Sequence, residues 1–286
     1  MKTIFILLPL YNDWKSLDKL INKIKIKVKQ KIKIKLKLLI VNDKSHKKCE
    51  INYKTNKLIS RTEIVNLKKN LGHDRAIVLG LYYLIKKNII FDSVITMDSD
   101  GEDDPKYLSQ IINMHLKNPN NIIVCKRVKR NESLIFRTLY HIHLIFNLFF
   151  TYKWLNHGGY NLLPRKTILT LLKSKTIWGN YSASIERLKL KKKFLKTNKG
   201  KRYFGPSQTS FKKLFFHSLN IMTVFKEKII LNAFIYSFLI YLFSSKSLLL
   251  LILLIINFLF IVIVLCLLSL REHSNWKKNF FKNFSY

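Results

Sequence analysis

"SVITMDSDGEDDP", residues 93–105, joins a short apolar run to a cluster of acids that ends in an Asp-Pro pair. These five acids are a large share of the 16 in a chain of 286 residues whose formal net charge is +36. Because carboxylates held within a few ångströms repel one another, the cluster predicts a positively charged partner. We expect Ser93–Met97 to form a strand and Pro105 to open a helix, with Asp104 as its N-cap.

The same order, a β-rich run followed by an amphipathic stretch, recurs along residues 4–125. The predicted strands are Ile4–Leu8, Leu36–Val41, Glu63–Asn66, Ser93–Met97 and Ile122–Cys125. Predicted helices lie near residues 14–28, 73–88 and 105–117. In the lysine-isoleucine run at 22–37, whose period of two also suits a strand, we predict a helix, a break near Gln30 and then a strand. Strands separated by helices indicate βαβ units, and therefore a mostly parallel α/β sheet with helices on both faces.

Polar loops follow four of these strands, at residues 9–13, 42–45, 70–76 and 98–105. In open α/β sheets, ligands bind at the carboxyl ends of the strands, so the four loops are expected to meet at one site. Asp98 and Asp100 frame a single residue there, and both carboxylates can approach one divalent cation. Hard oxygen ligands suit Mg²⁺ or Mn²⁺, and Glu102 can complete the set directly or through water. Such a metal can stabilise the charge on a departing diphosphate.

The C-terminal part of the chain has a different composition. Leu248–Leu270 is a run of 23 residues without a charge, which matches a hydrocarbon core of roughly 30 Å. Ile229–Phe243 is shorter and contains Asn232, so it fits either the first helix of a transmembrane hairpin, which we favour, or a buried or interfacial helix. Basic residues flank both segments, which predicts that both chain termini are cytoplasmic.

The basic composition does not by itself indicate a nucleic-acid partner. Lysine is spread through nearly every segment, as a compositional bias would produce, and no groove-reading motif is present. A basic surface gains about 1 kcal/mol per well-placed Lys or Arg beside anionic lipid, so membrane lipids are the expected partner rather than nucleic acid. The three cysteines, Cys49, Cys125 and Cys266, have neither paired spacing nor histidine companions, which argues against a disulfide framework or a zinc site.

Taken in order, the motifs resemble those of the family-2 glycosyltransferases, in the branch of dolichol-phosphate mannosyltransferase and the bacterial undecaprenyl-phosphate glucosyltransferases. "LLPLYND" (7–13) resembles the opening "IPVYNE", and "LLIVNDKS" (38–45) resembles "IIVVDDGS". "NLGHDRA" (70–76) is similar to the N-x-G helix start, and "MDSDGEDDP" (97–105) to "DADLQDPP". The segments 158–168 and 201–219 extend the resemblance, which covers Ile4 to roughly Lys228.

The resemblance implies a GT-A-like, Rossmann-related fold and an inverting, metal-dependent transfer of a sugar from a UDP- or GDP-linked donor. The expected acceptor is a lipid-linked phosphate such as polyprenyl phosphate. The implied organisation is a catalytic domain at 1–205, a membrane-surface helix at 206–228, two transmembrane helices at 229–271 and a basic tail at 272–286. The protein is then expected in the cell inner membrane, with its catalytic domain in the cytoplasm.

Site roles follow from the same resemblance. The catalytic candidates are Asp98, Asp100 and Arg202, and the metal ligands are Asp98, Asp100 and Glu102. The residues expected to bind the nucleotide sugar are Pro9, Tyr11, Asp13, Asp43, Arg75, Asp98 and Ser207. A guanidinium binds phosphate oxygens bidentately, which suits Arg202 to the donor diphosphate or a lipid phosphate; alternatively it is a solvated residue in a lysine-rich run.

Three positions depart from the family pattern. Gly159 and Asn161 stand where many relatives have Asp and Arg, and Asn42 replaces an acid, so the roles of those residues are not carried over. A phosphate acceptor is already anionic and needs no base, whereas a hydroxyl acceptor calls for a general base, for which Asp103 or Asp104 are the only guesses. A catalytically degenerate membrane scaffold that keeps the fold is the alternative function.

Overall fold

The structure is a computed structural model that describes residues 1–28, 34–47, 58–129, 134–205, 211–243, 248–272, 277 and 283–285. Its strands are β1 (Lys2–Leu10), β2 (Ile34–Asn42), β3 (Ile59–Leu67), β4 (Ser93–Thr96), β5 (Ile122–Lys129), β6 (His157–Pro164), β7 (Lys192–Asn198) and β8 (Phe284–Ser285). Its α-helices are α1 (Trp14–Lys27), α2 (His73–Lys86), α3 (Leu108–Lys117), α4 (Leu134–Thr151), α5 (Arg165–Lys173), α6 (Tyr181–Arg187), α7 (Phe211–Val224), α8 (Lys226–Phe243) and α9 (Leu248–Glu272). Two short 3₁₀ helices lie at Pro105–Tyr107 and Lys175–Trp178.

The described strands form one sheet in the order β7-β5-β6-β4-β1-β2-β3-β8. β1 pairs in parallel with β2 and β4, and β2 pairs in parallel with β3. β6 runs antiparallel between β4 and β5, and β7 is parallel to β5. The predicted mostly parallel α/β sheet is therefore confirmed, with β6 as an antiparallel insertion close to its centre.

The central strand β1 is buried on both faces. Phe5 and Leu7 pack in one apolar cluster with side chains of α2 and α5, whereas Leu8 packs in a second cluster with side chains of α1 and α3. Because successive strand residues point to opposite faces, a continuous apolar run is what a doubly covered strand requires. Gly80 of α2 brings that helix against β1, since a Cβ there would lie 2.6 Å from the Leu7 Cδ1.

The predicted elements of the N-terminal half are present. All five predicted strands form, the predicted helices correspond to α1, α2 and the segment from Pro105 to Lys117, and Asp104 accepts a hydrogen bond from the Lys106 N–H (2.9 Å) as an N-cap. In the lysine-isoleucine run, α1 ends at Lys27 and β2 begins at Ile34, while the break expected near Gln30 lies outside the described residues. The sequence did not predict β6, β7 or β8.

Two helices form where a transmembrane hairpin was expected, α8 and α9. They pack against each other, and the Asn257 side-chain amide donates to the Ala233 carbonyl (3.1 Å) and to the Ser237 hydroxyl (2.9 Å). In the described ranges, however, no helix combines the length and apolar character needed to cross a membrane. α8 opens with Lys226, Glu227 and Lys228, which leaves it short of the roughly 20 apolar residues of a span. The structure does not support the predicted pair of transmembrane helices.

Helix α4 has one buried side and one exposed side. His143 and Asn147 are buried on the side that faces α7, where the His143 ring bonds the Ser218 hydroxyl. Ile142, Ile145 and Phe149 are exposed on the opposite side. One face of α4 is therefore core, and the other is an apolar surface.

Candidate functional site

A cavity of about 720 Å³ opens at the carboxyl ends of β1, β2 and β4. Strand β6 and helices α4, α6 and α7 form its other side. The structure brings most of the predicted site residues to this cavity, namely Pro9, Tyr11, Asp13, Asp43, Asp98, Asp100, Glu102 and Arg202. Arg75 is not among the residues that line it, and Ser207 lies outside the described residues.

Each acid of the 98–104 loop has a basic partner within the protein. Asp98 and Asp103 share the Arg127 guanidinium, with Nη2 to oxygen distances of 3.1 and 2.8 Å. The other three pairs are Asp100 with Arg202 (2.9 Å), Glu102 with Lys199 (2.9 Å) and Asp104 with Lys106 (3.2 Å). Four basic side chains of the protein therefore supply the positive partner that the acidic cluster predicts. A fifth, His73, lies 2.7 Å from Asp98.

Asp98 lies at the centre of a charged network behind the cavity. Its Oδ1 is 2.7 Å from His73 Nε2, and its backbone N–H donates to Asp103 Oδ2 (2.9 Å). Burial alone would raise the pKa of Asp98, but His73 and Arg127 outweigh it and hold that pKa well below its usual range. Burial likewise works to lower the pKa of His73, yet Asp98 and Asp74 raise it well above its usual value. Asp98 and Asp74 therefore favour the protonated form of His73.

Asp103 is part of the same network and does not face the cavity as a base. Its side chain is 2% exposed, and burial together with the charge of Asp98 raises its pKa to about 6. Both of its oxygens are already used, one by Arg127 and one by the Asp98 backbone. The suggestion that Asp103 or the N-capping Asp104 could serve as a general base finds no support in this geometry.

Asp100 lies at the open side of the loop. Its carboxylate accepts from Arg202 Nη1 at 2.9 Å, and Arg202 Nη2 also bonds Asp13. Burial, followed by the charge of Asp98, raises the pKa of Asp100 to about 7. A carboxylate held near half-ionisation at neutral pH is one that additional positive charge would bind and ionise.

Two backbone hydrogen bonds hold the segment after β7 against the acidic loop. The Gly200 N–H donates to the Glu102 carbonyl (2.7 Å), and the Tyr203 N–H donates to the Asp100 carbonyl (2.9 Å). Gly101 has a φ of +96°, and a Cβ there would meet the Tyr203 ring at 2.6 Å. Glycine at 101 is thus required both by its backbone conformation and by the close approach of this ring, which together place Lys199 and Arg202 beside the acids.

Asp43, one of the residues expected to bind the nucleotide sugar, has a structural role at the start of α2. Its two oxygens accept the backbone N–H groups of Leu71 (2.7 Å) and Gly72 (2.8 Å). Burial raises its pKa, and these two bonds oppose the rise. Asp43 therefore fixes the loop that carries His73 while it also lines the cavity.

The prediction for Arg75 does not match its position. Its guanidinium lies over the Trp178 ring, 5.1 Å from the centroid, and its Nε donates to the Trp178 carbonyl at 3.5 Å. Helical periodicity explains the difference, because Arg75 is two residues from His73 on α2 and so points about 200° away from it. Arg75 therefore packs α2 against the 3₁₀ helix at Lys175–Trp178, whereas His73 and other residues of that motif line the cavity.

The family departures at Gly159 and Asn161 have distinct structural settings. A Cβ on Gly159 would lie 3.2 Å from His73 Cε1 and 3.8 Å from Asp98 Oδ1, so the glycine leaves room for the His73–Asp98 pair. Asn161 is fully buried in β6, opposite Thr96 of β4, and its amide donates to the Gly158 carbonyl (2.9 Å). Asn161 is therefore a packing residue of the sheet.

Sequence comparison assigns the chain to a family. The sequence model described as glycosyl transferase family 2 matches residues 5–185, which is more than half of the chain. The chain belongs to glycosyl transferase family 2. No curated protein matches it.

Solved structures resemble this family-2 glycosyltransferase at low sequence identity. Glucosyl-3-phosphoglycerate synthase from Mycobacterium tuberculosis, in complex with Mn²⁺, UDP-glucose and phosphoglyceric acid, is 15% identical with a TM-score of 0.53, and the match covers 80% of each chain. S. aureus TarS 1–349 in complex with UDP-GlcNAc is 14% identical with a TM-score of 0.44, over 80% of this chain and 72% of that one. The first of these supports the GT-A-like fold.

The predicted three-carboxylate metal site of this family-2 glycosyltransferase is not assembled. Within the part of the chain that the structure describes, no three His, Cys, Asp or Glu side chains are grouped so that they could hold a metal ion. Glu102 is held by Lys199, while Asp98 and Asp100 both line the cavity. Asp98 and Asp100 still present two carboxylates to the cavity, and carboxylates are the hard oxygen ligands that suit a divalent cation.

Sequence reasoning placed His73 next to the predicted site but gave it no role, and it missed two further residues that shape the site, Arg127 and Lys199. His73 lies within the motif at 70–76, so its position near the site could be predicted from the sequence, but its contact with Asp98 could not. Arg127 and Lys199 are distant from the acidic loop along the chain. The pairing of β5 with β6 brings Arg127 to the loop, and the backbone hydrogen bonds of Gly200 and Tyr203 bring Lys199 to it.

Proposed function

We propose that this family-2 chain transfers a hexosyl group from a UDP- or GDP-linked sugar to a lipid-linked phosphate, with inversion at the anomeric carbon. The observation that carries the proposal is the meeting of Asp98, Asp100 and Arg202 with Tyr11 and Asp13 in one cavity at the carboxyl edge of the sheet. The proposal places the chain in the branch of dolichol-phosphate mannosyltransferase and undecaprenyl-phosphate glucosyltransferases.

In this proposal, Asp98 and Asp100 hold Mg²⁺ or Mn²⁺, which supplies Lewis-acid stabilisation to the departing diphosphate when bound. Support comes from the fold relative from M. tuberculosis, which was solved with Mn²⁺ and UDP-glucose. Arg202 and Lys199 lie on the same side of the cavity and can pair with the diphosphate oxygens in place of their present carboxylate partners.

The proposed acceptor is a phosphate oxygen. Its lone pair attacks the anomeric carbon, the bond from that carbon to the diphosphate oxygen breaks, and the nucleoside diphosphate leaves with both electrons. No proton has to be removed from an ionised phosphate, which agrees with the engagement of both Asp103 oxygens within the protein. A hydroxyl acceptor would instead call for a base on the cavity wall.

We also propose that α4, α8 and α9 rest on the cytoplasmic face of the cell inner membrane. Their exposed side chains include Phe234 (73% exposed), Tyr241 (72%) and Leu248 (72%). Large exposed apolar patches mark interaction surfaces, and the net charge of +36 favours anionic lipid. In this arrangement the domain at 1–205 stays in the cytoplasm and the exposed faces of α4, α8 and α9 contact lipid.

Radiolabelled UDP- and GDP-sugars, incubated with membranes that contain the full chain in the presence and absence of Mn²⁺, test the function. We expect metal-dependent transfer to an organic-soluble lipid product, reduced at least 100-fold in Asp100→Asn because the metal loses a ligand. Asp104→Asn is the matched control, since this neighbouring carboxylate caps the 3₁₀ helix and does not line the cavity. Wild-type transfer by Asp100→Asn would contradict the assignment.

A catalytically degenerate scaffold is the second candidate. It is favoured by the fact that the protein's own cations neutralise every acid of the loop. Calorimetry separates the two functions, because an enzyme binds UDP or GDP in the presence of Mn²⁺ and a degenerate scaffold binds neither.

A further inference from the structure

The cavity has two chemically different sides. Its carboxylates come from the ends of β1, β2 and β4 and from the start of α2, whereas the wall built by α4, β6, α6 and α7 contributes no carboxylate among the described residues. The polar side chains of that wall include the imidazoles of His143, His157 and His217 and the hydroxyl of Ser182. We call this side the imidazole wall. It faces the acidic loop across the space where a transferred sugar would have to lie.

His157 lacks the ring hydrogen bonds that two other cavity-lining histidines, His73 and His143, make in the structure. Its side chain is only 2% exposed, and neither ring nitrogen has a hydrogen-bond partner within the described part of the chain. By contrast, His73 bonds Asp98 and His143 bonds Ser218. A buried polar group without a partner is costly, so the ring of His157 is suited to a partner that a ligand brings.

A charged residue stands behind the His157 ring. Glu186 of α6 has an oxygen 3.7 Å from His157 Nε2, and it pairs with Lys192 (2.9 Å) and Lys153 (3.5 Å). Burial opposes its ionisation, but His157 and Lys192 lower the pKa of Glu186 to about 2. Glu186 therefore stays anionic beside the His157 ring.

The position of His157 on β6 connects it with the acid pair. Gly159 stands beside Asp98, and His157 precedes it by two residues on the same strand. Residues i and i+2 share a face and lie roughly 7 Å apart along a strand. His157 is therefore on the same face of β6 as Gly159, and its ring lies beside Glu186 of α6.

Arg127 lies near this wall but is not available in the same way. It is shared between Asp98 and Asp103, and its side chain is 14% exposed. Removing it from either carboxylate would leave a buried anion without its partner, which is strongly unfavourable. Recognition of an anionic acceptor is left to His157, whose ring makes no hydrogen bond in the described part of the chain and has Glu186 3.7 Å from Nε2.

We propose that His157 contacts the phosphate of the acceptor by donating a hydrogen bond to a non-attacking oxygen, and that Glu186 is the positioning residue for its ring. The proposal rests on the proposed function, since it concerns the acceptor side of the same cavity. The attacking oxygen forms the new bond to the anomeric carbon, the donor loses its nucleoside diphosphate, and the proton of His157 stays on the ring. His157 and Glu186 thereby select a phosphate-bearing acceptor over a neutral one.

NMR of protein labelled with ¹⁵N at histidine tests this directly. The full chain, with Mg²⁺ and UDP bound, is titrated with two probes, inorganic phosphate and geranyl phosphate, and the His157 signals are assigned by their loss in His157→Gln. We expect both probes to move the His157 ring signals, and His157→Gln to raise the dissociation constant for geranyl phosphate about tenfold or more, as for the loss of one charged hydrogen bond. A response to geranyl phosphate alone would still support the proposal and would show that the lipid chain contributes to binding.

His115 provides the matched control. It is also buried and without ring hydrogen bonds, but it lies on α3, away from the cavity, where burial lowers its pKa to about 4. We expect His115→Gln to leave the binding of both probes unchanged. Glu186→Gln is expected to shift the His157 ring signals in the protein without probe and to weaken geranyl phosphate binding, while UDP affinity stays within twofold of wild type.

The outcomes separate this proposal from the proposed function. If UDP and GDP fail to bind with Mg²⁺ or Mn²⁺, the proposed function itself is wrong. If UDP binds but neither probe moves the His157 signals, or if His157→Gln binds geranyl phosphate as tightly as wild type, the role of His157 is refuted. The titration of the wild-type protein still tests the role of His157 if His157→Gln is poorly folded, because His157→Asn can then be used to assign the His157 ring signals.

Discussion

Arg202 has two carboxylate partners in the protein alone, and its replacement by glutamine gives a sharp test of the site. The guanidinium bonds Asp100 at 2.9 Å and also bonds Asp13, and both Arg202 and Asp100 are 17% exposed. A divalent ion that binds Asp100 must displace Arg202 from it. Arg202→Gln removes that competitor, so we expect the variant to bind Mn²⁺ more tightly than wild type when no nucleotide is present.

The size of the effect follows from the bond that is lost. A hydrogen bond to a charged group is worth about 1.5–3 kcal/mol, and partial exposure reduces this to about 1–2 kcal/mol. Since 1.4 kcal/mol is a factor of ten, Mn²⁺ should bind roughly 5- to 30-fold more tightly to Arg202→Gln. The loss of the guanidinium also removes an influence that lowers the pKa of Asp100, so the comparison belongs at pH 8, where more of the carboxylate is ionised.

Electron paramagnetic resonance of free Mn²⁺ measures this affinity without any turnover. Arg61→Gln is the matched control, because Arg61 pairs with Glu63 on β3 (3.2 Å) and does not line the cavity. With UDP present the sign should reverse, since Arg202 then contributes to diphosphate binding and its loss weakens the ternary complex. Equal or weaker binding of Mn²⁺ to Arg202→Gln without nucleotide would refute the view that Arg202 competes with the metal.

Three further outcomes are expected. Because the pKa of Asp100 is about 7, Mn²⁺ affinity in the presence of UDP should rise between pH 6 and pH 8 as the carboxylate ionises, and a flat titration would count against Asp100 as a ligand. Gly159→Asp should reduce transfer at least tenfold, since even its Cβ would lie 3.2 Å from His73; undiminished activity would show that the glycine is incidental. Arg75→Gln should lower the free energy of unfolding by about 1 kcal/mol through the lost contact with Trp178 and leave UDP affinity unchanged, as measured by denaturant titration and calorimetry.

The N-terminal half of the fold could be predicted because its strands are buried on both faces and therefore appear as apolar runs between polar loops. β6 and β7 could not be predicted in this way. β6 is antiparallel and pairs with strands distant in sequence, and β7 carries four lysines or threonines among seven residues at the edge of the sheet. Local patterns carry no information on such non-local pairings.

The site was predictable to a similar degree. The motif loops converge as the carboxyl-edge rule requires, which brings Asp13, Asp98 and Asp100 together. The partners of those acids were not predictable, because Arg127 and Lys199 reach them only through tertiary contacts. Arg75 was misassigned because a motif match does not tell which face of a helix a residue occupies.

The antiparallel strand β6 is hydrogen-bonded to β4 on one side and to β5 on the other. Residues 157 and 158, at the start of β6, can change side chains while the interior of the strand stays paired on both sides next to the acidic loop. Under the proposal for His157, exchanging these two residues between relatives would change the acceptor, while Gly159 keeps room for the His73–Asp98 pair on the donor side.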